Sequence, residues 1–181
     1  MTGSIERLQE EFDIDITWTA FPLHPYIPME GMSFEDLFAG RQIDIPQMQK
    51  RLETAANNAG LPYTGPQLAC NSRLAQEMGK WAETQGKGDA FHLAVFKAYF
   101  VEEKNIGDPQ ILVEVAETLG LPADEAGEVI QNRTHREDVD QDWARSKEQF
   151  VTAVPTFLIG RQRLVGAQSH GNLKAFVKNN S

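Results

Sequence analysis

The sequence has very little cysteine: Cys70 is the only one among 181 residues. With one cysteine, no internal disulfide is possible. Four histidines are present, but they are scattered without the spacing of metal ligands, so no zinc-type cluster is expected. No apolar run approaches the roughly 20 residues that a membrane-spanning helix needs. These absences leave a disulfide-free chain with no intrinsic sign of a metal centre.

Positive charge is also scarce. The chain has 17 Lys and Arg against 26 Asp and Glu, which gives a formal net charge of -9 and a pI near 4.9. Nucleic acids and anionic membranes attract positive surfaces, so neither is expected as a partner. The first residues lack the basic region and apolar core of a signal peptide, and a cytoplasmic location is therefore expected.

The N-terminal segment has two different periodicities. Apolar residues recur every three or four positions over residues 3–12, which predicts a short amphipathic helix. Apolar and polar residues then alternate over residues 14–20, which predicts a strand with one buried face. Prolines interrupt this alternation, so residues 22–33 are predicted to form a loop.

The middle of the chain has the periodicity of helices. Asp44 and Asp108 are placed to cap two of six predicted helices, and glycines mark the ends of several. The third predicted helix, from Asp89 to about Val101, is apolar on most faces, so it is expected in the middle of a bundle. The apolar residues of the first predicted helix share one face, and the sixth, roughly 134–149, carries Val139, Trp143 and Phe150. The residues that share a face in the first predicted helix are Ile45, Met48, Leu52, Ala55, Ala56 and Ala59.

The C-terminal segment returns to strands. Pro155 opens an apolar strand over 156–159, residues 160–163 read as a turn, and a return strand precedes a final amphipathic helix. The order of helix, strand, helical insert, hairpin and helix predicts an α/β class. We expect one domain from residues 1–43 and 151–181, with an all-helical insertion over 44–150.

Four stretches, spread over most of the chain, together resemble one known family. The chain is similar to DsbA-like thioredoxin-fold proteins, in particular the FrnE-like branch of cytoplasmic proteins described as predicted dithiol–disulfide isomerases. The resemblance implies a thioredoxin-like sheet with a helical insertion. The four stretches are 18–25 (WTAFPLHP), 70–75 (CNSRLA), 96–100 with 105–108 (FKAYF, NIGD) and 153–157 with 166–168 (AVPTF, GAQ).

The resemblance also implies a binding site. In this family a cis-proline loop faces the redox cysteines and offers backbone groups to an extended substrate. By position this loop is Val154-Pro155, with Pro155 as the residue at the catalytic centre and its peptide bond expected to be cis. Phe21 and Pro22, which end the first predicted strand, are weaker candidates for the lining of the site. The implied partner is a thiol or disulfide, in a protein or a small molecule, and no cofactor is expected.

One departure from the family changes the expected activity. In the family, a first strand leads into a Cys-x-x-Cys motif, and Met1 aligns just after its second cysteine. We therefore expect this chain to be inactive or weakly active as a thiol–disulfide oxidoreductase or isomerase. The absence of that strand predicts open sheet edges, which favour association and a possible homodimer. Cys70 is interpreted as a structural residue, because free cysteine is usually buried.

Two alternatives remain open at this level. One is the glutathione-dependent isomerase and kappa-class transferase group, which has a similar fold and helical insert and would make glutathione the cofactor. The other is a non-catalytic thioredoxin-fold module that binds peptides. Binding of unfolded peptide without reduction of insulin would support the second alternative.

Overall fold

The computed structural model describes residues 2–180, so Met1 and the expectation attached to it lie outside the described residues. This range contains nine helices and four short strands in two antiparallel pairs. Strand β1 (Met32–Ser33) pairs with β2 (Leu68–Ala69), and β3 (Thr156–Ile159) pairs with β4 (Gln162–Val165). The helices are α1 (Thr2–Glu11), α2 (Phe34–Leu37), α3 (Ile45–Asn58), α4 (Arg73–Thr84), α5 (Gly88–Phe100), α6 (Pro109–Thr118), α7 (Ala123–Asn132), α8 (Arg136–Glu148) and α9 (His170–Asn180).

The chain divides into two compact units. One contains residues 1–23 and 142–181, and the other contains residues 24–141. The second unit is helical apart from the short β1–β2 pair. This unit also contains residues 24–43, which lie before the predicted insertion. The predicted insertion limits, residues 44 and 150, stay a prediction.

The first unit packs two helices against the β3–β4 hairpin. Leu8 of α1 and Leu173 and Val177 of α9 are buried together, as the predicted amphipathic patterns require. Ser169 caps α9, because its hydroxyl oxygen accepts a hydrogen bond of 3.2 Å from the backbone N–H of Asn172. The side chains packed around this core are Phe12, Ile14, Phe157, Ile159 and Leu164.

The second unit has its core around α4. Met78 and Ala82 are completely buried there, and Trp81 is nearly so. Asp108 caps α6 as predicted, with its carboxylate accepting from the backbone N–H of Gln110 at 2.8 Å. The remaining core side chains come mainly from α5, α6 and α7, and include Phe91, Val95, Leu112, Val115, Ala126 and Val129.

The predicted strand over residues 14–20 is wrong. The structure places no strand anywhere in residues 13–31, all of which it describes. The alternation itself is real, because even-numbered residues from 14 to 20 are half-buried and odd-numbered residues are exposed. A strand also needs a neighbour for its backbone groups, and no ladder forms with this segment. The sequence pattern indicates which face of the segment is buried. It does not indicate whether a neighbouring strand is present for backbone pairing.

Three apolar features of the predicted helices are left largely uncovered. Helix α3 begins after its Asp44 cap as expected, but none of its residues is buried. In α5, Leu93 and Phe96 are exposed, so that helix is covered on one side only. Phe150 lies just past the end of α8 with 75% of its surface exposed. Helical periodicity identifies an apolar face, but burial requires an element that covers the face.

Candidate functional site

The predicted substrate loop lies between α8 and β3 and is held on both sides. The peptide bond between Val154 and Pro155 is cis. The backbone N–H of Gly166, just after β4, donates to the carbonyl oxygen of Pro155 at 2.8 Å. The hydroxyl of Thr156 donates to the carbonyl oxygen of Ala153 at 2.7 Å. These two bonds fix the position of the residues that flank Val154.

Val154 itself is exposed and has no backbone hydrogen bond within the described residues. Its surface is 45% exposed, whereas Pro155 is half-buried. Among the residues that the structure describes, none forms a hydrogen bond with the backbone N–H or C=O of Val154. Strand β3 begins two residues later and pairs on one edge only, with β4. Exposed backbone donors and acceptors at such an edge can pair with an added extended chain.

Phe21 and Pro22, the other predicted site residues, are half-buried and belong to the same unit as the loop. The preceding residue is anchored to α8. The backbone N–H of Ala20 donates to the carboxylate of Asp142 at 2.8 Å, and the hydroxyl of Ser146 donates to the carbonyl of Ala20 at 3.3 Å. Because α8 leads directly into the substrate loop, the two pairs of candidates are connected through this helix.

Sequence reasoning missed the residue that joins the hairpin to the end of α8. Arg163 of β4 donates from its guanidinium to the carbonyl of Gln149 at 2.7 Å and to the carbonyl of Phe150 at 3.1 Å. Carbonyls at a helix C-terminus lack partners within the helix, and a cation there also interacts favourably with the helix dipole. An arginine in a short strand gives no sequence signal of this role.

Cys70 lies in the other unit and has the environment of a structural residue. Its thiol is half-buried beside the helical core and lies 3.9 Å from the carbonyl oxygen of Leu68. Burial raises the pKa of this thiol, and a backbone hydrogen bond from Ile106 offsets only part of the effect. Tyr99 donates its hydroxyl to the same carbonyl at 2.9 Å. A raised pKa disfavours the thiolate, which is the reactive form in disulfide exchange.

Neither a metal cluster nor a membrane span is found within the described residues. No group of three or more histidine, cysteine or acidic side chains converges on a point that could hold a metal ion. No helix in this part of the chain combines the length and apolar character needed to cross a membrane.

Comparison with solved structures relates the whole fold to known proteins. A crystal structure of a probable DsbA oxidoreductase from Streptomyces coelicolor superposes with a TM-score of 0.87, at 21% identity, over 99% of this chain and 82% of that chain. A 2-hydroxychromene-2-carboxylate isomerase superposes with a TM-score of 0.72, at 19% identity, over 97% of this chain and 84% of that chain. At such identities the similarity shows the thioredoxin-like DsbA fold.

Sequence comparison identifies the family. Uncharacterized protein YwbO of Bacillus subtilis is 30% identical over 164 residues, which are 86% of this chain and 76% of that protein. The DSBA-like thioredoxin domain family matches residues 1–178. The chain therefore belongs to the DSBA-like thioredoxin domain family.

Proposed function

We propose that this chain is a substrate-binding member of the DsbA-like oxidoreductase and isomerase family, in which Val154 pairs with an extended segment of a thiol- or disulfide-containing protein. The observation that carries the proposal is the exposed Val154 with its unbonded backbone groups, beside a strand that is open on one edge. Pro155 follows at the family's catalytic position, and Phe21 and Pro22 contribute to the lining of the site. A cytoplasmic location and association into a homodimer belong to the same proposal.

The chemistry of the 181 residues limits their redox activity. A dithiol oxidoreductase reduces a substrate disulfide by forming a disulfide between its own two cysteines, and this chain has one. Cys70 is a poor substitute, because burial raises the pKa of its thiol. We therefore propose that these 181 residues bind substrate but give little or no catalysed exchange.

The binding proposal is tested with a pair of fluorescent peptides that differ only in their backbone. One is an extended apolar peptide of about ten residues, and the other carries N-methyl groups on consecutive residues, which removes the hydrogen-bond donors on both edges of the extended peptide and blocks strand pairing. Fluorescence anisotropy is expected to show binding of the first peptide and at least tenfold weaker binding of the second. Equal affinities would contradict strand pairing at Val154.

The redox part is tested by the reduction of insulin with dithiothreitol. We expect the rate of precipitation with the chain present to equal the uncatalysed rate. A clear acceleration would contradict the proposal of weak activity. Replacement of Cys70 by serine would then show whether that thiol is responsible.

A glutathione-dependent isomerase is the second candidate, and the superposition with 2-hydroxychromene-2-carboxylate isomerase is the observation in its favour. Isothermal titration with glutathione separates the two candidates. Under the leading proposal glutathione gives no measurable heat of binding. Micromolar binding of glutathione would favour the second candidate.

A further inference from the structure

Four exposed apolar side chains lie in the hairpin and in the segment that leads into it. Their exposed fractions are 75% for Phe150, 45% for Val154, 38% for Leu158 and 48% for Val165. We call these four residues the apolar strip. All belong to the unit that contains the substrate loop. Large apolar side chains that remain exposed close together often mark an interaction site.

The register of the hairpin places part of the strip on one face. Phe157 and Leu164 are directly opposite each other and pack on the core formed with α1 and α9. Side chains alternate along a strand, so Leu158 of β3 and Val165 of β4 lie on the opposite, outer face. Arg163 is paired with Leu158 and shares that face. The outer face therefore carries exposed apolar side chains and one cation.

Arg163 connects the outer face of the hairpin to the segment that contains Phe150. Its guanidinium donates to the backbone carbonyls of Gln149 and Phe150, which directly follow α8. The outer face of the hairpin is therefore bonded to the segment that carries the exposed ring, and Val154 lies four residues further along the same segment.

The backbone of Phe150 is unusual for its residue type. Its φ is +51°, in the left-handed region. Its N–H donates to the carbonyl of Lys147, and the N–H of Val151 donates to the carbonyl of Ser146. This is the Schellman arrangement, in which glycine is the usual residue at the left-handed position. A β-carbon is disfavoured there, and the exposed ring of Phe150 gains almost no burial in return. The packing of this unit therefore gives no reason for a phenylalanine at this position.

We propose that Phe150 is a specificity-determining residue, whose ring contacts an apolar side chain of an extended polypeptide that pairs with Val154. The inference rests on the proposed function and adds that the segment paired with Val154 carries apolar side chains that the ring of Phe150 contacts. The backbone groups of Val154 match an extended main chain. Such a chain points alternate side chains to the same face, so it can pair with Val154 and place apolar side chains against the strip. A small disulfide would leave most of the strip uncovered.

The test uses two labelled peptides of equal length and net charge, one with leucine at alternate positions and one with serine in place of each leucine. Binding to the full chain is measured by fluorescence anisotropy for wild type, Phe150→Gly and Phe150→Leu. The control is Glu103→Gly, because Glu103 also has a left-handed backbone, with φ of +54°, but lies in the other unit.

We expect wild type to prefer the leucine peptide. Phe150→Gly is expected to bind the leucine peptide about tenfold more weakly than wild type, as the loss of a partly buried phenylalanine side chain implies. Phe150→Leu should stay within about threefold of wild type, and Glu103→Gly should be unchanged. The midpoint of thermal unfolding of Phe150→Gly should equal or exceed that of wild type, because glycine suits the backbone.

Three results would overturn the proposal. Wild-type affinity in Phe150→Gly would show that the ring does not contact substrate, while peptide binding itself would leave the proposed function intact. A lower thermal midpoint in Phe150→Gly would show that the ring serves the fold. A dimer in light scattering that Phe150→Gly dissociates, without peptide binding by wild type, would assign the ring to a second copy. Absence of binding by either peptide to any protein is a failure of the proposed function itself.

Discussion

Glu77 provides the sharpest prediction about stability. Its carboxylate is 2% exposed in α4, within the helical unit. Arg133, at the end of α7, donates two hydrogen bonds to it, at 2.6 and 2.7 Å, and Arg73 donates another from the preceding turn of α4, at 2.5 Å. Arg73 also reaches Asp140 at 2.7 Å and the backbone carbonyl of Arg136 at 2.8 Å. One buried charge therefore connects α4, α7 and the first turns of α8.

Glu77→Gln keeps the shape of the side chain but removes its charge. Loss of one partner from a buried ion pair costs about 3–5 kcal/mol. Arg133 is 42% exposed, so its guanidinium can turn to water, and we place the loss near the lower end of that range, at about 3 kcal/mol. Arg133→Ala should cost less, about 1–2 kcal/mol, because Arg73 still compensates the carboxylate.

Urea denaturation followed by circular dichroism measures both losses. Glu128→Gln is the matched control, since it is the same substitution at an exposed position of α7 in the same unit, and it should change the free energy of unfolding by less than about 0.5 kcal/mol. A loss below about 1 kcal/mol for Glu77→Gln would refute the reasoning.

The loss of stability in Glu77→Gln should also depend on pH. Burial acts to raise the pKa of Glu77, but the hydrogen bonds and charges of Arg133 and Arg73 outweigh it, so the net shift is downward. A glutamate in the unfolded chain titrates near 4.3, above the pKa in the folded state. The stabilisation is therefore complete above about pH 5 and is lost as the pH falls through the folded-state value. The difference in the free energy of unfolding between wild type and Glu77→Gln should therefore shrink as the pH falls from about 5 through the folded-state pKa of Glu77. A constant difference would contradict the assignment.

Three other predictions concern single side chains. Met78→Ala should lower the free energy of unfolding by about 2–5 kcal/mol, because the side chain is completely buried and the variant leaves a cavity; a loss below about 1 kcal/mol in urea denaturation would contradict its place in the core. Asp108→Ala should cost about 1 kcal/mol in the same assay through loss of the α6 cap, whereas Asp108→Asn should be nearly neutral; equal losses would argue against capping. Cys70 should react with iodoacetamide at pH 7.5 at least tenfold more slowly in the folded chain than in urea, since burial raises the pKa of its thiol, and equal rates would disprove the buried environment.

Much of the fold is predictable from local patterns. Helix starts at Asp44 and Asp108 follow from capping chemistry, and the hairpin follows from two short apolar runs around Gly160, whose φ of +57° suits a glycine. The spacing of apolar residues does not show which element packs against each apolar face. Residues 14–20 alternate as a strand would but have no ladder, and α3 is amphipathic but buries nothing.

The candidate site is predictable only through resemblance. The similarity of their loop to that of a known family identifies Val154 and Pro155, and no spacing rule does so. Two features had no sequence signal. Arg163 bonds to carbonyls 13 and 14 residues away in sequence, and the left-handed backbone of Phe150 depends on how α8 ends. Both arise from tertiary contacts rather than from the local sequence.

The central claim, that an extended polypeptide pairs with the backbone of Val154, is tested most directly by nuclear magnetic resonance. The backbone amide of Val154 would be followed in the full chain during titration with the leucine peptide. The account predicts that this amide shifts on binding and becomes protected from solvent exchange, as a newly bonded strand amide does. Binding that leaves the amide unshifted and unprotected, with changes confined to residues elsewhere, would contradict the account.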